Sequence, residues 1–185
     1  MDKLMKCALA FNNLIDKEYY IKAGKKGKLL EVILYFDPIN FHHLIGLNKL
    51  NDINLLRKST PELFSKILSG KITHEHISKS VHYDKMSDRL DYFPFLEQIL
   101  DSEDTIIKHN QSKSGSSINA KAIICNKVDN IYIHYFIDLN EHNGKCFGRT
   151  FFPRVDRLYL FDRPYKILEK KKYADGYEIN LPTVP

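Results

Sequence analysis

The stretch KAIICNKVDNIYIHYFIDL, residues 121–139, decides the fold class. Two runs rich in Ile, Val, Tyr and Phe flank Asp129-Asn130, a dipeptide that tolerates positive φ. The segment therefore predicts a β-hairpin with a two-residue turn. Downstream, NGKCFGRTFFPRV (143–155) reads as a further strand and PYKILEKKKY (164–173) as the last one, whose Lys-rich end suits a sheet edge. Upstream, QSKSGSSINA (111–120) is polar and Gly/Ser-rich, hence a loop, and DTIIKHN (104–110) reads as a strand. An antiparallel meander over residues 102–173 results, with 174–185 as a tail.

The first hundred residues have a different rhythm. Leu4, Cys7/Ala8, Phe11 and Leu14/Ile15 recur at helical spacing, so residues 2–17 predict an amphipathic helix. EYYIKA, GKKG and KLLEVILYF follow as strand, turn and strand (18–36). Asp37-Pro38 then opens a short helix, INFHHLIGLNKL. Ser59-Thr60-Pro61-Glu62 is a helix start running towards Gly70, and Thr73 caps HEHISKSV. Met86, Leu90, Phe93, Leu96, Ile99 and Leu100 continue the period until Pro94 breaks or kinks it. The expected class is α+β: a mainly helical N-terminal half (1–101) with an early β-hairpin, packed on a C-terminal antiparallel β-meander, as one domain over 1–185.

Composition narrows the function classes. Apolar residues make up 43% and charged residues 28% of the 185, so the chain is globular. No apolar run reaches the ~18 residues of a membrane span, and the N-terminus reads as an amphipathic helix rather than a signal peptide, so a cytoplasmic location without a membrane partner is expected. Cys7, Cys125 and Cys146 are dispersed and odd in number, which favours free thiols over a disulfide framework or a zinc site. The net charge of +5 is moderate but concentrated in KAGKKGK (22–28) and KILEKKKY (166–173). Lys beside Tyr and Phe suits either phosphate contact with base stacking or solvated strand ends.

Four constellations could carry chemistry. His42-His43 flank the apolar face set by Leu44 and Leu47, so one of them can face a cleft as general acid or base, or serve as a hydrogen-bonded structural residue. His74, His76 and His82 do not share a helix face and lack a carboxylate in a metal signature, so no metal site and no cofactor are expected. Arg89, between Asp88 and Asp91, fits a surface ion pair or a planar donor fork for phosphate. In GRTFF, strand alternation sends Thr150 and Phe152 one way and Arg149 and Phe151 the other, and Gly148 allows a close backbone approach. His134, between Tyr132 and Phe136, either projects into a cleft or packs within the sheet. Phosphate-loop, dinucleotide, zincin and serine-hydrolase signatures are absent. No acidic cluster suggests a two-metal nuclease. Nuclease chemistry would then be attack of a ribose 2′-hydroxyl on the adjacent phosphate, assisted by His, Arg/Lys and hydroxyl donors.

Three segments carry a resemblance. FDPINFHHLIGLNKL (36–50) resembles the Phe-x-His-Leu-x-Gly segment of phage-associated nucleases of the barnase–EndoU–colicin–RelE (BECR) type, and the fourth phage subfamily is the nearest in pattern. SKSVHYDKMSDRLDYFPFLEQIL (78–100) resembles its Ser and Arg-Leu/Ile segment before a helix, and CFGRTFFPRVDRLY (146–159) its Ser/Thr-Phe-Phe strand. Order and spacing agree over about residues 5–172. The resemblance implies a BECR-like fold with a four-stranded antiparallel sheet and an endoribonuclease of toxin or effector type. It implies His43 as base or acid, Arg89 holding the scissile phosphate, Thr150 donating to it and Ser80 as a secondary contact. His42 is the alternative to His43, and Arg149, Lys121 and His134 complete the substrate-binding candidates. Expected partners are RNA and a protein antidote or host defence protein. The alternative function is a non-catalytic phage or prophage protein that binds RNA or a host protein. Burial of His43 away from Thr150 would favour that alternative.

Overall fold

Turn chemistry sets the strands. The computed structural model describes residues 1–54, 60–114, 117–156 and 163–181. β1 (Lys17–Lys25) and β2 (Lys28–Tyr35) are joined by Lys26-Gly27, both at positive φ (47° and 75°). β4 (Ala122–Val128) and β5 (Ile131–Leu139) are joined by Asp129-Asn130 at φ 47° and 66°, the geometry whose twist matches paired strands. β3 is Thr105–Lys108, β6 Cys146–Arg154 and β7 Tyr165–Ala174. A third such turn, Asp175-Gly176, leads to β8 (Tyr177–Ile179) within the stretch read as a tail. Asp-Gly between alternating residues is a strong hairpin signal that the sequence reading passed over.

The strands form one sheet in the order β1-β2-β6-β5-β4-β3-β7-β8, with β1 also paired to β7. These pairings close the first seven into a ring. Two expectations are corrected here. The early hairpin is not a separate layer, because β2 pairs in parallel with β6 through Leu34↔Cys146 and Tyr35↔Phe147, so the sheet is mixed rather than an antiparallel meander. Nor is β7 an edge: it pairs with β1 along its length, and with β3 and β8 on its other side. Lys166 is exposed, but two of its lysines, Lys170 and Lys172, are turned into the fold. Lys170 Nζ donates to the carbonyls of Leu100, Asp101 and Glu103 at 2.9, 2.6 and 2.7 Å, satisfying the end of a helix. Lys172 is buried against Asp101 (2.8 Å) and Glu97 (2.8 Å), over the Tyr19 ring.

The helices cover one face. α1 (Lys3–Asn12) buries Leu4, Cys7, Ala8 and Phe11, and stops where the chain turns into β1 rather than running to 17. α2 (Pro38–Leu44) starts at Asp37, whose side chain accepts from the Ile39 N–H. α3 (Pro61–Leu68) is capped by Thr60, and the Ser59 part of that expected start lies outside the described residues. α4 (His74–Ser78) starts at Thr73, whose N–H meets His76 Nδ1. Pro94 falls where expected to break the next helix, into α5 (Arg89–Tyr92), a 3-10 turn and α6 (Leu96–Ser102). A short α7 (Gln111–Ser114) opens the segment expected to be loop. Phe11 sits among Phe36, Phe41, Phe64 and Phe93, with ring centroids 5.6–6.1 Å away, and Phe93 meets Phe151 of β6 at 5.0 Å. Such contacts add to the burial of apolar area. This cluster fixes α2 and α5 against β6, where the candidate residues converge.

Candidate active site

A cleft of about 330 Å³ lies where the end of α2, the start of α5 and the middle of β6 meet. Its walls carry His43, Lys49, Arg89, Arg149 and Thr150, together with Asn40, Asn48, Ser117, Asn119 and Phe147. Phe41 and Leu44 point α2 at the core, which turns Asn40 and His43, three apart, to the opposite face.

His42 is buried with its ring edge-to-face on His43 at 5.2 Å, and His43 is exposed in the cleft. Surrounding protein withholds water from the imidazole, and Arg149 adds positive potential, so the His43 pKa lies below its usual value. The ring is therefore neutral to a lower pH than an ordinary histidine and able to accept a proton.

Arg89 is buried, yet its guanidinium lines the cleft. One nitrogen donates to the carbonyls of Leu44 (2.9 Å) and His43 (3.4 Å) at the end of α2, the second of which also accepts from the Gly46 N–H. Gly46 makes this route possible. It turns the chain at φ 84°, and a Cβ there would stand 3.2 Å from Arg89 Nε. Burial lowers the Arg89 pKa to about 10, Asp88 opposing, so the side chain remains cationic at neutral pH. Arg89 thus joins α2 to α5 while lining the cleft.

β6 departs from simple alternation. Phe136 pairs with Thr150 but Ile137 pairs with Gly148, so Arg149 is the extra residue of a β-bulge. Arg149 and Thr150 consequently both reach the cleft, where alternation alone sends them to opposite faces. Gly148 leaves room for Tyr135 beneath the bulge: a Cβ would lie 2.9 Å from the Tyr135 ring carbons, closest of all to its hydroxyl.

The other sequence candidates lie elsewhere. Ser80 is buried, donating to Asp52 Oδ1 at 2.5 Å and accepting from the His82 N–H, so it organises a turn. Lys121 Nζ donates to the Glu31 carbonyl at 3.1 Å. His134 is fully buried, stacked on Phe152 at 5.5 Å, and burial lowers its pKa to about 4. Neither His42, Ser80, Lys121 nor His134 lines the cleft. His74 Nε2 lies 2.6 Å from the Tyr83 hydroxyl. Lys49 escaped the sequence reading, although GLNKL places it one short turn beyond α2. Its ammonium donates to the Lys85 carbonyl at 2.8 Å, and burial, followed by the nearby Arg89 charge, lowers its pKa.

No helix among the described residues is long and apolar enough to cross a membrane. No curated protein and no solved structure matches the chain. A family model described as phage-Barnase-EndoU-ColicinE5/D-RelE like nuclease4 matches residues 3–180, the same family that the three sequence segments resemble. The chain therefore belongs to this family of phage-associated nucleases.

Proposed function

We propose that the cleft is the active site of a metal-independent endoribonuclease of the toxin or effector type, related to the BECR fold. The observation that carries this reading is the convergence of His43, Lys49, Arg89, Arg149 and Thr150 on one cavity. A general base, several cations and a hydroxyl donor are the groups that phosphoryl transfer to a neighbouring hydroxyl requires. Exposure of His43 beside Thr150 favours catalysis over non-catalytic binding.

Neutral His43 takes the proton from the ribose 2′-hydroxyl, whose oxygen attacks the adjacent phosphorus. The P–O5′ bond breaks, Lys49 gives its proton to the departing 5′-oxygen, and a 2′,3′-cyclic phosphate is left. Arg89 and Arg149 hold the equatorial oxygens as negative charge builds, and Thr150 donates to one of them. Metal independence is supported by the donor set: no carboxylate lines the cleft among the described residues, and oxygen-liganded divalent cations rely on carboxylates.

The test compares an RNA oligonucleotide with the same strand carrying one 2′-deoxy nucleotide at the mapped cut, both in EDTA. The reading expects cleavage of the first and an intact bond in the second. Cutting of both, or cutting that needs a divalent ion, would overturn it.

A further inference from the structure

The cleft holds more polar groups than phosphate chemistry uses. Asn40, Asn48 and Asn119 reach it from α2, from the 3-10 turn Leu47–Lys49 and from the segment before β4. Among the described residues their side-chain amides make no hydrogen bond with protein. Each offers paired donors and an acceptor. Phe147 lies on the same wall, half-buried, and its ring contacts no other aromatic among the described residues. Ile118 adds an apolar surface, held in place where His109 Nε2 meets its carbonyl at 3.1 Å.

We infer that this amide-lined part of the cleft is a base-reading subsite that selects one nucleobase beside the scissile phosphate, with Asn48 and Asn119 as specificity-determining residues and Phe147 as the stacking surface. The inference rests on the nuclease reading of the same cleft and adds what the substrate must carry. A flat heteroaromatic ring with donors and acceptors on its edge matches free amides beside an open aromatic face. Phosphate alone has no use for an amide acceptor. A cavity of about 330 Å³ is at the small end of ligand sites, sized for a single nucleotide unit. Discrimination follows because a base that cannot pair with the amides leaves them desolvated and unsatisfied.

The four nucleoside 3′-monophosphates and an abasic ribose phosphate are titrated into the purified protein, with affinity measured calorimetrically. One nucleotide is expected to bind at least tenfold more tightly than the abasic ligand. Asn48→Ala and Asn119→Ala, both at exposed positions, reduce that preference several-fold while leaving ribose phosphate affinity unchanged. Phe147→Leu weakens all four nucleotides relative to the abasic ligand, whereas Arg149→Ala weakens every ligand alike. Equal binding of the four nucleotides, or loss of affinity in the Asn variants that extends to ribose phosphate, overturns the subsite. Selective binding without RNA cleavage would remove the nuclease reading and retain the subsite. Cleavage indifferent to base would do the reverse.

Discussion

His43 has two neighbours that decide its chemistry: the protein walls that withhold water from it, and Arg149. Both lower its pKa, the walls most, so as a general base it remains neutral to a lower pH than an ordinary histidine. The acid limb of kcat/KM for RNA cleavage should therefore fall below pH 6.5. In Arg149→Ala the limb moves to higher pH, towards the usual value, because one of the two depressing influences is gone. An unmoved limb in a pH–rate series on that variant would show that His43 is not the titrating base. Arg89 makes a sharper demand. Its planar fork spans the end of α2 and the cleft at once, which the point charge of a lysine cannot reproduce. Arg89→Lys should lower kcat by about 100-fold or more, on the scale of losing a transition-state donor. It should also lower the melting temperature, since the buried carbonyl of Leu44 loses its side-chain donor. The type of residue in both roles was legible in the sequence. The double duty of Arg89 was not, because it depends on a glycine forty-three positions away and a helix end that only the packed fold brings near.

Among the elements, β6 carries the clearest departure from pattern. Strand alternation put Arg149 and Thr150 on opposite faces, and the bulge at Arg149 puts them in one cleft. Gly148 within a strand is compatible with a close approach or a bulge, but nothing in the letters GRT assigns Arg149 as the extra residue of the bulge. Its setting is Tyr135, a large side chain packed under Gly148 from the neighbouring strand. Gly148→Ala should therefore cost about 1–3 kcal/mol by overpacking. Tyr135→Phe removes the nearest atom and should recover part of that loss. Alone, Tyr135→Phe should raise stability by about 1 kcal/mol, because its buried hydroxyl finds no hydrogen-bond partner among the described residues. Urea unfolding of the two single variants and the double variant measures all three values. Unchanged stability in Gly148→Ala would contradict this account of the bulge. The hairpins were readable because their turns are local chemistry: Asp129-Asn130 adopts positive φ as its composition predicts, and Asp175-Gly176 carries the same signal.

For the molecule as a whole, closure of seven strands depends on β7 meeting β1, and no local signal in PYKILEKKKY announces a partner 150 residues earlier. The same run hides a buried ion pair. Lys172 and Asp101 join β7 to α6, with the Tyr19 hydroxyl also donating to Asp101 at 2.6 Å. Asp101→Ala should cost about 3 kcal/mol by leaving Lys172 buried with less compensation. The double replacement Asp101→Leu with Lys172→Met should recover much of that loss, and thermal unfolding distinguishes the two. A double variant no more stable than Asp101→Ala would mean that the pair is not the source of the loss. Composition indicated a basic protein, but tertiary contact determined that Lys170 and Lys172 brace the fold while His43, Lys49, Arg89 and Arg149 line the cleft. His43 in that cleft is proposed to catalyse metal-independent RNA cleavage. The most direct test is cleavage of cellular RNA by the purified protein in EDTA, wild type against His43→Ala, with end-group analysis of the products. Wild type should leave 2′,3′-cyclic phosphate ends, and the variant should cut at least about 100-fold more slowly, on the scale of general acid–base catalysis. Equal rates in the two proteins, or wild-type products ending in 3′-hydroxyl groups, would contradict it.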